Sequence, residues 1–455
     1  MTVKPKAAPK FVYPVSLGCS KNRVDTEAML GILYSHGYQV TKDLGRAQLV
    51  IVNTCGFLQE SVNEALSEIS SLARLKAKTG FRLVVTGCLV QRMGRELKRR
   101  IPEIDAMVGV HGYKDLLSAV RGRKDFSLSN TAGLYSAGFY HDRILTTGPG
   151  WAYLRIADGC DNRCTYCMIP KLRGKFRSRP KAEIIGEASS LVRRGVKEIN
   201  LIAQDTTNYG LDLYGERKLS ELLSMLDKVQ GLEWIRLLYT HPAHYDQNLI
   251  RVLEQSPKVV RYLDIPLQHS QDRMLKAMNR RVDHDKTASL ISELRKRLPG
   301  LAVRTTFMTG FPGETKNDYD GLLDFVSLQR FERLGAFAFS AEPGTKAFEY
   351  PGQLAPGIRR ERLETLMALQ KKISHSCHRA RVGKTYRVLV EGKVERGAGA
   401  PYRKGYGFYG RSYAEAPEVD GKIYIRSKRG LKPGEFADVL IDRAWNYDLG
   451  GTTIT

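Results

Sequence analysis

The stretch WAYLRIADGCDNRCTYC, residues 151–167, places three cysteines directly behind an apolar strand candidate. Cys160, Cys164 and Cys167 have the spacing CxxxCxxC on one predicted loop. Three thiolates on a single loop can hold three irons of a 4Fe-4S cluster and leave the fourth iron open for another ligand. A zinc site usually has four protein ligands, commonly from paired cysteines, and no fourth ligand stands nearby in the sequence. The spacing therefore favours a cluster over zinc.

The loop belongs to a long series of alternating strand and helix patterns. Strand candidates lie near residues 151–157, 197–203, 234–240, 261–267, 302–309 and 333–340. About six such βα units predict an α/β fold, a full or partial (β/α) TIM-like barrel whose chemistry lies on the loops after its strands. A helical segment at 357–380 leads to a tail in which the hydrophobic period falls to two, and this tail predicts a small all-β barrel or sandwich.

The amino-terminal part, residues 11 to about 120, also alternates strands and helices, which predicts a parallel sheet with helices on both faces. Cys19, Cys55 and Cys88 each follow a strand candidate, so all three should lie at the carboxyl edge, where open α/β sheets bind ligands. Their spacing alone is more typical of incidental thiols. Placement at three strand ends beside a cluster loop favours a second cluster. Cys377, in a helical segment without a partner, is interpreted as a packing or surface thiol.

Composition and charge restrict the class of protein. The chain has 455 residues and a formal charge of +24, from 72 basic and 48 acidic side chains. This charge suits a polyanionic partner such as RNA or a ribosome, or reflects a generally basic surface. The basic runs at 92–100 and 359–362 are interpreted as solvated helix faces. The first ten residues lack the apolar run of a secretion signal, and no apolar stretch could span a membrane, so we expect a cytoplasmic protein.

These motifs, with SLGCSKNRVDTE at 16–27, resemble the radical SAM methylthiotransferase family over nearly the whole chain. The resemblance implies an amino-terminal methylthiotransferase domain with a second cluster at 1–125, a radical SAM domain at 146–380 and a TRAM domain at 381–450. A linker rich in Gly, Ser, Thr and Arg at 122–150 separates the first two. The resemblance also implies that the open iron of the first cluster chelates the amino and carboxylate groups of S-adenosylmethionine (SAM).

Several segments are typical of the branch that modifies an aspartate in the twelfth small-subunit ribosomal protein. They are SLGCSKN, DIPLQH at 264–269, RTTFMTGFPGET at 304–315 and EAPEVDG at 415–421. The acidic residues of the last segment should repel RNA phosphate and favour a basic protein target. Two alternatives stay open: the branch that modifies an adenosine of transfer RNA, and an RNA- or ribosome-binding assembly protein with structural clusters.

The resemblance also implies the chemistry. A low-potential donor reduces the Cys160/Cys164/Cys167 cluster, which cleaves SAM to a 5′-deoxyadenosyl radical. The radical removes a hydrogen from the β-carbon of the target aspartate, the carbon takes sulfur from the second cluster, and a second SAM provides the methyl group. Such a C–H bond is too strong for a general base, and the sequence shows no convincing acid/base pair.

Four further residues are candidates for binding SAM or substrate. Such cysteine motifs carry an aromatic residue at the position of Tyr166, which shields the cluster or the adenine. Gln204 and Asp205, at the end of a strand, are candidates for polar contacts to SAM or substrate. Lys175 stands where the RNA branch tends to have glutamate. We hypothesise that it or a neighbouring arginine pairs with the substrate carboxylate, although a solvated loop lysine is the ordinary interpretation.

Two other motifs are given structural interpretations. GFPGET, Gly310 to Thr315, lacks the Gly-Lys-Ser/Thr ending of a phosphate loop and is predicted to form a tight turn entering a helix. His241 and His244 have the HxxH spacing of metal ligands but lie beside a proline in a predicted loop, so metal binding is not expected there.

Overall fold

A computed structural model of the chain describes residues 9–128, 139–140, 142–395 and 405–454. Part of the predicted linker, 129–138 and 141, lies outside the described residues. The chain forms two compact units. The first comprises Met1–Thr146, Asp158–Asp161 and Cys167–Phe176, and the second comprises Thr147–Ala157, Asn162–Tyr166 and Arg177–Thr455.

The first unit is a six-stranded parallel sheet in the order β2-β1-β3-β4-β5-β6. Its strands are β1 Lys10–Ser16, β2 Tyr38–Val40, β3 Leu49–Thr54, β4 Arg82–Gly87, β5 Ala106–Gly109 and β6 Phe126–Ser127. Its helices are α1 Ser20–Ser35, α2 Gln59–Thr79, α3 Cys88–Met93, α4 Arg95–Arg100, α5 Leu116–Val120 and α6 Ile169–Arg173. The parallel α/β prediction is confirmed, although β2 and β6 are too short to give a periodic signal.

Strand β3 shows why helices cover both faces of this sheet. All six of its residues are buried. Val50 and Val52 pack into one hydrophobic core with residues of α2 and α3. Leu49 and Ile51 pack into the other core, with residues of α1 and α5. Since side chains alternate along a strand, a continuous apolar run is what a sheet with two covered faces requires.

The second unit contains the predicted partial barrel, a six-stranded parallel sheet in the order β14-β13-β12-β11-β10-β7. Its strands are β7 Trp151–Arg155, β10 Glu198–Ile202, β11 Trp234–Leu237, β12 Val259–Asp264, β13 Ala302–Thr309 and β14 Arg333–Ala338. Two short strands, β8 Ala157–Asp158 and β9 Arg177–Ser178, lie before and after the cysteine loop in the chain. The helices are α7 Lys181–Arg193, α8 Leu211–Tyr214, α9 Leu219–Asp227, α10 Gln247–Gln255, α11 Asp272–Ala277, α12 His284–Arg297, α13 Lys316–Gln329 and α14 Pro356–Arg379.

The tail forms a closed five-stranded barrel in the order β15-β16-β17-β19-β18. The strands are β15 Thr385–Lys393, β16 Phe408–Arg411, β17 Ile423–Arg426, β18 Phe436–Ala444 and β19 Leu449–Thr453. Val388 and Val390 of β15 and Val439 and Ile441 of β18 point inward at alternate positions, which confirms the period of two. Single 3₁₀ turns occur at Leu44–Arg46, Tyr113–Asp115, Thr206–Asn208, Pro242–His244 and Lys346–Glu349.

Within the described ranges, every helix is too short or too polar to cross a membrane.

Candidate functional site

The three amino-terminal cysteines follow three neighbouring parallel strands. Cys19 is the N-cap of α1 after β1, Cys55 follows β3, and Cys88 is the first residue of α3 after β4. These strands are adjacent in the sheet and all run parallel. The structure therefore brings Cys19, Cys55 and Cys88 to one edge of the first unit, as the strand pattern predicts.

Two buried asparagines tie the cysteine-bearing turns together. Asn22 Nδ2 donates to the carbonyl oxygens of Leu17 and Thr54, each at 3.0 Å. Asn53 Nδ2 donates to the Asn22 carbonyl at 2.7 Å and to Thr26 Oγ1 at 3.0 Å. Both side chains are at most 1% exposed. In the sequence, Asn22 stands within the family-like motif SLGCSKNRVDTE, and no local pattern around Asn53 indicates that it would contact Asn22.

Two glycines allow the turns to approach. Gly18 has φ +94°, and a Cβ there would lie 2.7 Å from Cys55 Cβ and 3.2 Å from its Sγ. Gly87 has φ +98°, and a Cβ there would lie 2.3 Å from Asn53 Oδ1. Side chains at either position would both strain the backbone and push the strand ends apart.

The thiols differ in their electrostatic environment. Cys19 is exposed to solvent. Surrounding protein opposes its ionisation, but the charges of Lys21 and Arg173 outweigh this and lower its pKa. Burial, and next the neighbouring Cys19, raises the pKa of Cys55. Burial raises the pKa of Cys88 to about 12. Cys88 therefore needs a metal to ionise it near neutral pH, as cluster formation does.

In the first unit, the CxxxCxxC loop folds back on the segment that follows it. The amide of Cys160 donates to the Gly174 carbonyl at 3.2 Å. Gly159 has φ +77°, and a Cβ there would lie 2.0 Å from the Lys175 carbonyl oxygen, so only glycine fits. The amide of Ile169 lies 3.5 Å from the Cys167 sulfur.

In the second unit, the middle of the loop is held by residues 277–279 after α11. Thr165 donates from its amide to the Met278 carbonyl at 3.2 Å and from its hydroxyl to the Ala277 carbonyl at 2.9 Å. Asn279, with φ +56°, donates to the Arg163 carbonyl at 3.0 Å. These contacts fix the loop conformation on either side of Cys164.

Asp205 is a buried anchor at the end of β10. It accepts from Asn162 Nδ2 at 2.8 Å and from Thr207 Oγ1 at 2.6 Å, and His244 Nδ1 lies 2.9 Å away. Burial alone would raise the pKa of Asp205, but the contact with His244 outweighs it and brings the pKa to about 2. Burial, and next the charge of Arg280, lowers the pKa of His241, which stays neutral. Asp205 therefore remains ionised and orients the cysteine loop through Asn162.

Two buried residues of the second unit, one of them in contact with this loop, were not among the predicted site residues. Arg280 is 6% exposed, and its guanidinium lies 3.8 Å from the Cys164 sulfur. Gln268 is buried with φ +73°, and its Oε1 accepts no hydrogen bond from the described residues. A non-glycine residue in the left-handed region is uncommon and often marks a functional position. Gln268 stood in the sequence only within the family-like segment DIPLQH, and Arg280 lay in none of the quoted motifs.

Three candidate side chains have different surroundings. Tyr166 packs edge-to-face on Phe311, with ring centroids 6.5 Å apart, beside an apolar cluster that includes Met308. Gln204 is half-buried at the end of β10. Lys175 is exposed in the first unit. The roles of Tyr166, Gln204 and Lys175 in binding SAM or substrate therefore stay predictions.

The structure confirms the turn predicted for GFPGET and corrects the solvated-face interpretation of the basic run at 359–362. Thr315 is the N-cap of α13 and forms a capping box with Asp318, so GFPGET is a tight turn that starts a helix. Arg362 pairs with the buried Glu314 of this turn, so the basic run at 359–362 is more than a solvated face. His241 and His244 stack with ring centroids 4.6 Å apart.

Single metal ions find no ready site. Among the residues that the structure describes, no three His, Cys, Asp or Glu side chains converge as they would around one ion. A 4Fe-4S cluster is larger than one ion, so its thiolates stand further apart. Cys377 is half-buried in α14, where burial raises its pKa, in agreement with a packing thiol.

For two of the three acidic residues of EAPEVDG, the expectation that their carboxylates repel RNA phosphate is wrong, whereas Glu418 is exposed. Glu415 is 1% exposed and pairs with Arg333, at 2.6 Å, and with Arg381. Asp420 accepts from Tyr262 at 2.6 Å, and its side chain is 4% exposed. Glu415 and Asp420 neutralise arginines within the second unit, so these two carboxylates cannot discriminate RNA from protein.

Comparisons with known proteins follow the same division of the chain. The uncharacterised protein family UPF0004 matches residues 11–109, the radical SAM superfamily matches 154–326 and the TRAM domain matches 382–454. A protein of Acetivibrio thermocellus named ribosomal protein uS12 methylthiotransferase RimO is 42% identical over 456 residues, which cover 98% of each chain. Its namesake from Pelotomaculum thermopropionicum is 45% identical over 445 residues, 97% of this chain and 98% of that one.

Among solved structures, the radical S-adenosylmethionine methyltransferase TsrM from Kitasatospora setae is similar with a TM-score of 0.56. The match covers 75% of this chain and 74% of that chain at 15% sequence identity. A likeness at that identity shows a shared fold.

Proposed function

This chain belongs to the ribosomal protein uS12 methylthiotransferase family, and from that premise we propose its reaction and its ligands. The protein is a radical SAM methylthiotransferase that installs a methylthio group on the β-carbon of an aspartate in the twelfth small-subunit ribosomal protein. The observation that carries this assignment is identity above 40% over nearly the full length of both chains. Full-length similarity includes the parts that choose the substrate as well as those that bind SAM.

Members of this family use SAM and two 4Fe-4S clusters. We propose that Cys160, Cys164 and Cys167 hold the cluster that binds SAM, and that Cys19, Cys55 and Cys88 hold the second. Two features support this assignment. The amino-terminal trio lies on one sheet edge with glycines that permit close approach, and a raised pKa at Cys88 suits a thiol that ionises only on metal binding.

A cluster held by Cys160, Cys164 and Cys167 would supply reductive cleavage of SAM and so the radical chemistry at the aspartate, and a cluster held by Cys19, Cys55 and Cys88 would supply sulfur. The protein provides orientation and exclusion of water for this cofactor chemistry. Asp205 keeps the cysteine loop in place through Asn162. We propose that Gln204 and Asp205 also contact SAM or substrate and that Tyr166 covers the cofactor from its apolar side.

We further propose that Lys175 pairs with the carboxylate of the substrate aspartate. Its exposed side chain lies near the end of the segment that begins at Cys167. Lys175→Glu should reduce turnover of an aspartyl peptide at least tenfold, mainly through KM. Lys171→Glu, an exposed lysine of α6, is the matched control. Equal turnover by the wild type and Lys175→Glu would remove this role.

The partners follow from the substrate. We propose a low-potential electron donor, recognition of the ribosomal protein alone or within the ribosome, and a cytoplasmic location because ribosomes are assembled there. Transfer RNA is a less favoured substrate. We also propose domain limits of 1–125, 146–380 and 381–450, which the extents of the three family matches support.

The test is anaerobic reconstitution with iron and sulfide, followed by reduction and addition of SAM and a loop peptide that contains the candidate aspartate. Mass spectrometry should show the addition of one methylthio group on that aspartate. Cys160→Ala should abolish product, whereas Cys377→Ala should not. Methylthiolation of transfer RNA, with no product on the peptide, would overturn the proposal that the ribosomal protein is the substrate. Absence of SAM cleavage after reduction would favour an assembly protein with structural clusters.

A further inference from the structure

Arg173 is a buried cation beside the three amino-terminal cysteines. It ends α6, in the segment that begins at Cys167, and is 1% exposed. Its Nη2 donates to Asn22 Oδ1 at 2.6 Å and to Asp25 Oδ2 at 3.1 Å. Its Nη1 lies 3.4 Å from both carboxylate oxygens of Asp158. All these residues belong to the first unit.

The contacts of Arg173 link two cysteine-bearing parts of that unit. Its partner Asn22 binds the turns before Cys19 and Cys55, through Leu17 and Thr54. The Cys88 sulfur lies 3.9 Å from Asn22 Oδ1, the atom that Arg173 also contacts. Hydrophobic packing reinforces this link, because Met168 and Leu172 of the same segment pack against Cys88. The guanidinium therefore holds the chain after Cys167 against the amino-terminal trio.

The charge of Arg173 is held beside the trio, because Asn22 Oδ1, which accepts from its Nη2, lies 3.9 Å from the Cys88 sulfur. Asp25 places a negative charge next to it, 3.1 Å from the same Nη2. A buried guanidinium stays protonated, and it is screened much less than a surface cation. The reduction potential of an iron–sulfur cluster depends on net charge and hydrogen bonding around it.

We propose that Arg173 is a positioning residue for the second cluster: it fixes the turns that carry Cys19, Cys55 and Cys88 and raises the reduction potential of a cluster held there. The inference rests on the proposed ligands. A positive charge stabilises the reduced, more negative cluster, so its removal lowers the potential. Removal of the neighbouring negative charge at Asp25 raises it.

The test uses the full-length chain in which Cys160, Cys164 and Cys167 are replaced by alanine, so that only the second cluster binds. Its midpoint potential is measured by redox titration with electron paramagnetic resonance. Arg173→Gln should shift the reduction equilibrium at least tenfold toward the oxidised cluster, which is about 59 mV for a one-electron couple. Arg173→Lys, which keeps the charge, should stay within half of that shift. Lys171→Gln, which removes an exposed cation from α6, should leave the potential unchanged.

Asp25→Asn keeps the proposal testable if Arg173→Gln loses its cluster, because it leaves Arg173 in place and should shift the potential upward. An iron-loaded Arg173→Gln chain with unchanged potential, or an unchanged potential in Asp25→Asn, would overturn the role of Arg173 alone. A parent chain that binds no iron would instead refute the ligands themselves, and this inference with them.

Discussion

Glu198→Gln should weaken the second unit through the ion pairs between the partial barrel and the tail barrel. Glu198 is fully buried and accepts from Arg236 Nε at 2.8 Å and from Arg411 Nη2 at 2.7 Å. Neutralising one partner of a buried ion pair typically costs about 3–5 kcal/mol, because the other charge stays buried without compensation. Arg411 retains Glu391 at 2.7 Å, so we expect the lower end, about 3 kcal/mol.

Tryptophan fluorescence is a suitable probe of this prediction, because two of the three tryptophans of the chain lie beside Glu198 on the neighbouring strands. Trp151 lies under the Arg411 guanidinium at 5.6 Å from the ring centroid, and Trp234 packs on Phe436 of β18 at 4.7 Å. Urea unfolding of the cluster-free protein, followed at these rings, should show a midpoint lowered by about 1 M, since m is about 3 kcal/mol/M at the upper end of the usual range.

Glu233→Gln is the matched control, because Glu233 also pairs with an arginine of the tail barrel. Its partner Arg387 lies at 3.2 Å, but both side chains are more than 40% exposed. Exposed pairs contribute at most about 1 kcal/mol. Equal midpoints for Glu198→Gln and Glu233→Gln would refute the reasoning that burial makes the first pair indispensable.

Two further predictions concern pH and the cysteine turns. Burial and the charge of Arg333 lower the pKa of His378 to about 3. Between pH ~6.5 and about 3, only the unfolded chain therefore binds a proton at this histidine. The free energy of unfolding should fall by about 1.4 kcal/mol for each pH unit in that range as the pH drops. Urea midpoints at pH 7 and 5.5 should reveal this slope, and an equally steep slope in His378→Gln would contradict it. Gly18→Ala should lose the second cluster and about half of the bound iron, because its Cβ would meet Cys55. Gly37→Ala is the control, since Gly37 has a similar φ but open space around it, and this variant should keep both clusters. Equal iron contents in the two variants would contradict the steric argument.

Local patterns in the sequence predicted most of the fold. Each strand of the partial barrel starts within two residues of its predicted first residue, and α14 begins one residue before the predicted helix. Such elements are readable because burial imposes a period on neighbouring residues. The short strands β2 and β6 were missed because two or three residues carry no period.

The candidate site was only partly predictable. Cysteine identity and strand-end position predicted where the six proposed ligands would lie. Partners such as Asn53, Arg280 and Arg173 were not identified, because an asparagine or arginine has no distinctive local pattern. Their roles depend on contacts with residues as many as 151 positions away, as between Arg173 and Asn22.

What the sequence determined by itself is the set of elements, the two cysteine trios and the family resemblance, since each depends on residue type and short-range spacing. The tertiary structure decided which charged side chains are exposed to a binding partner and which are buried in ion pairs. EAPEVDG reads as an acidic surface, but Glu415 is buried between Arg333 and Arg381. An ion pair between distant elements forms only when packing removes both groups from water, and linear spacing does not encode that environment.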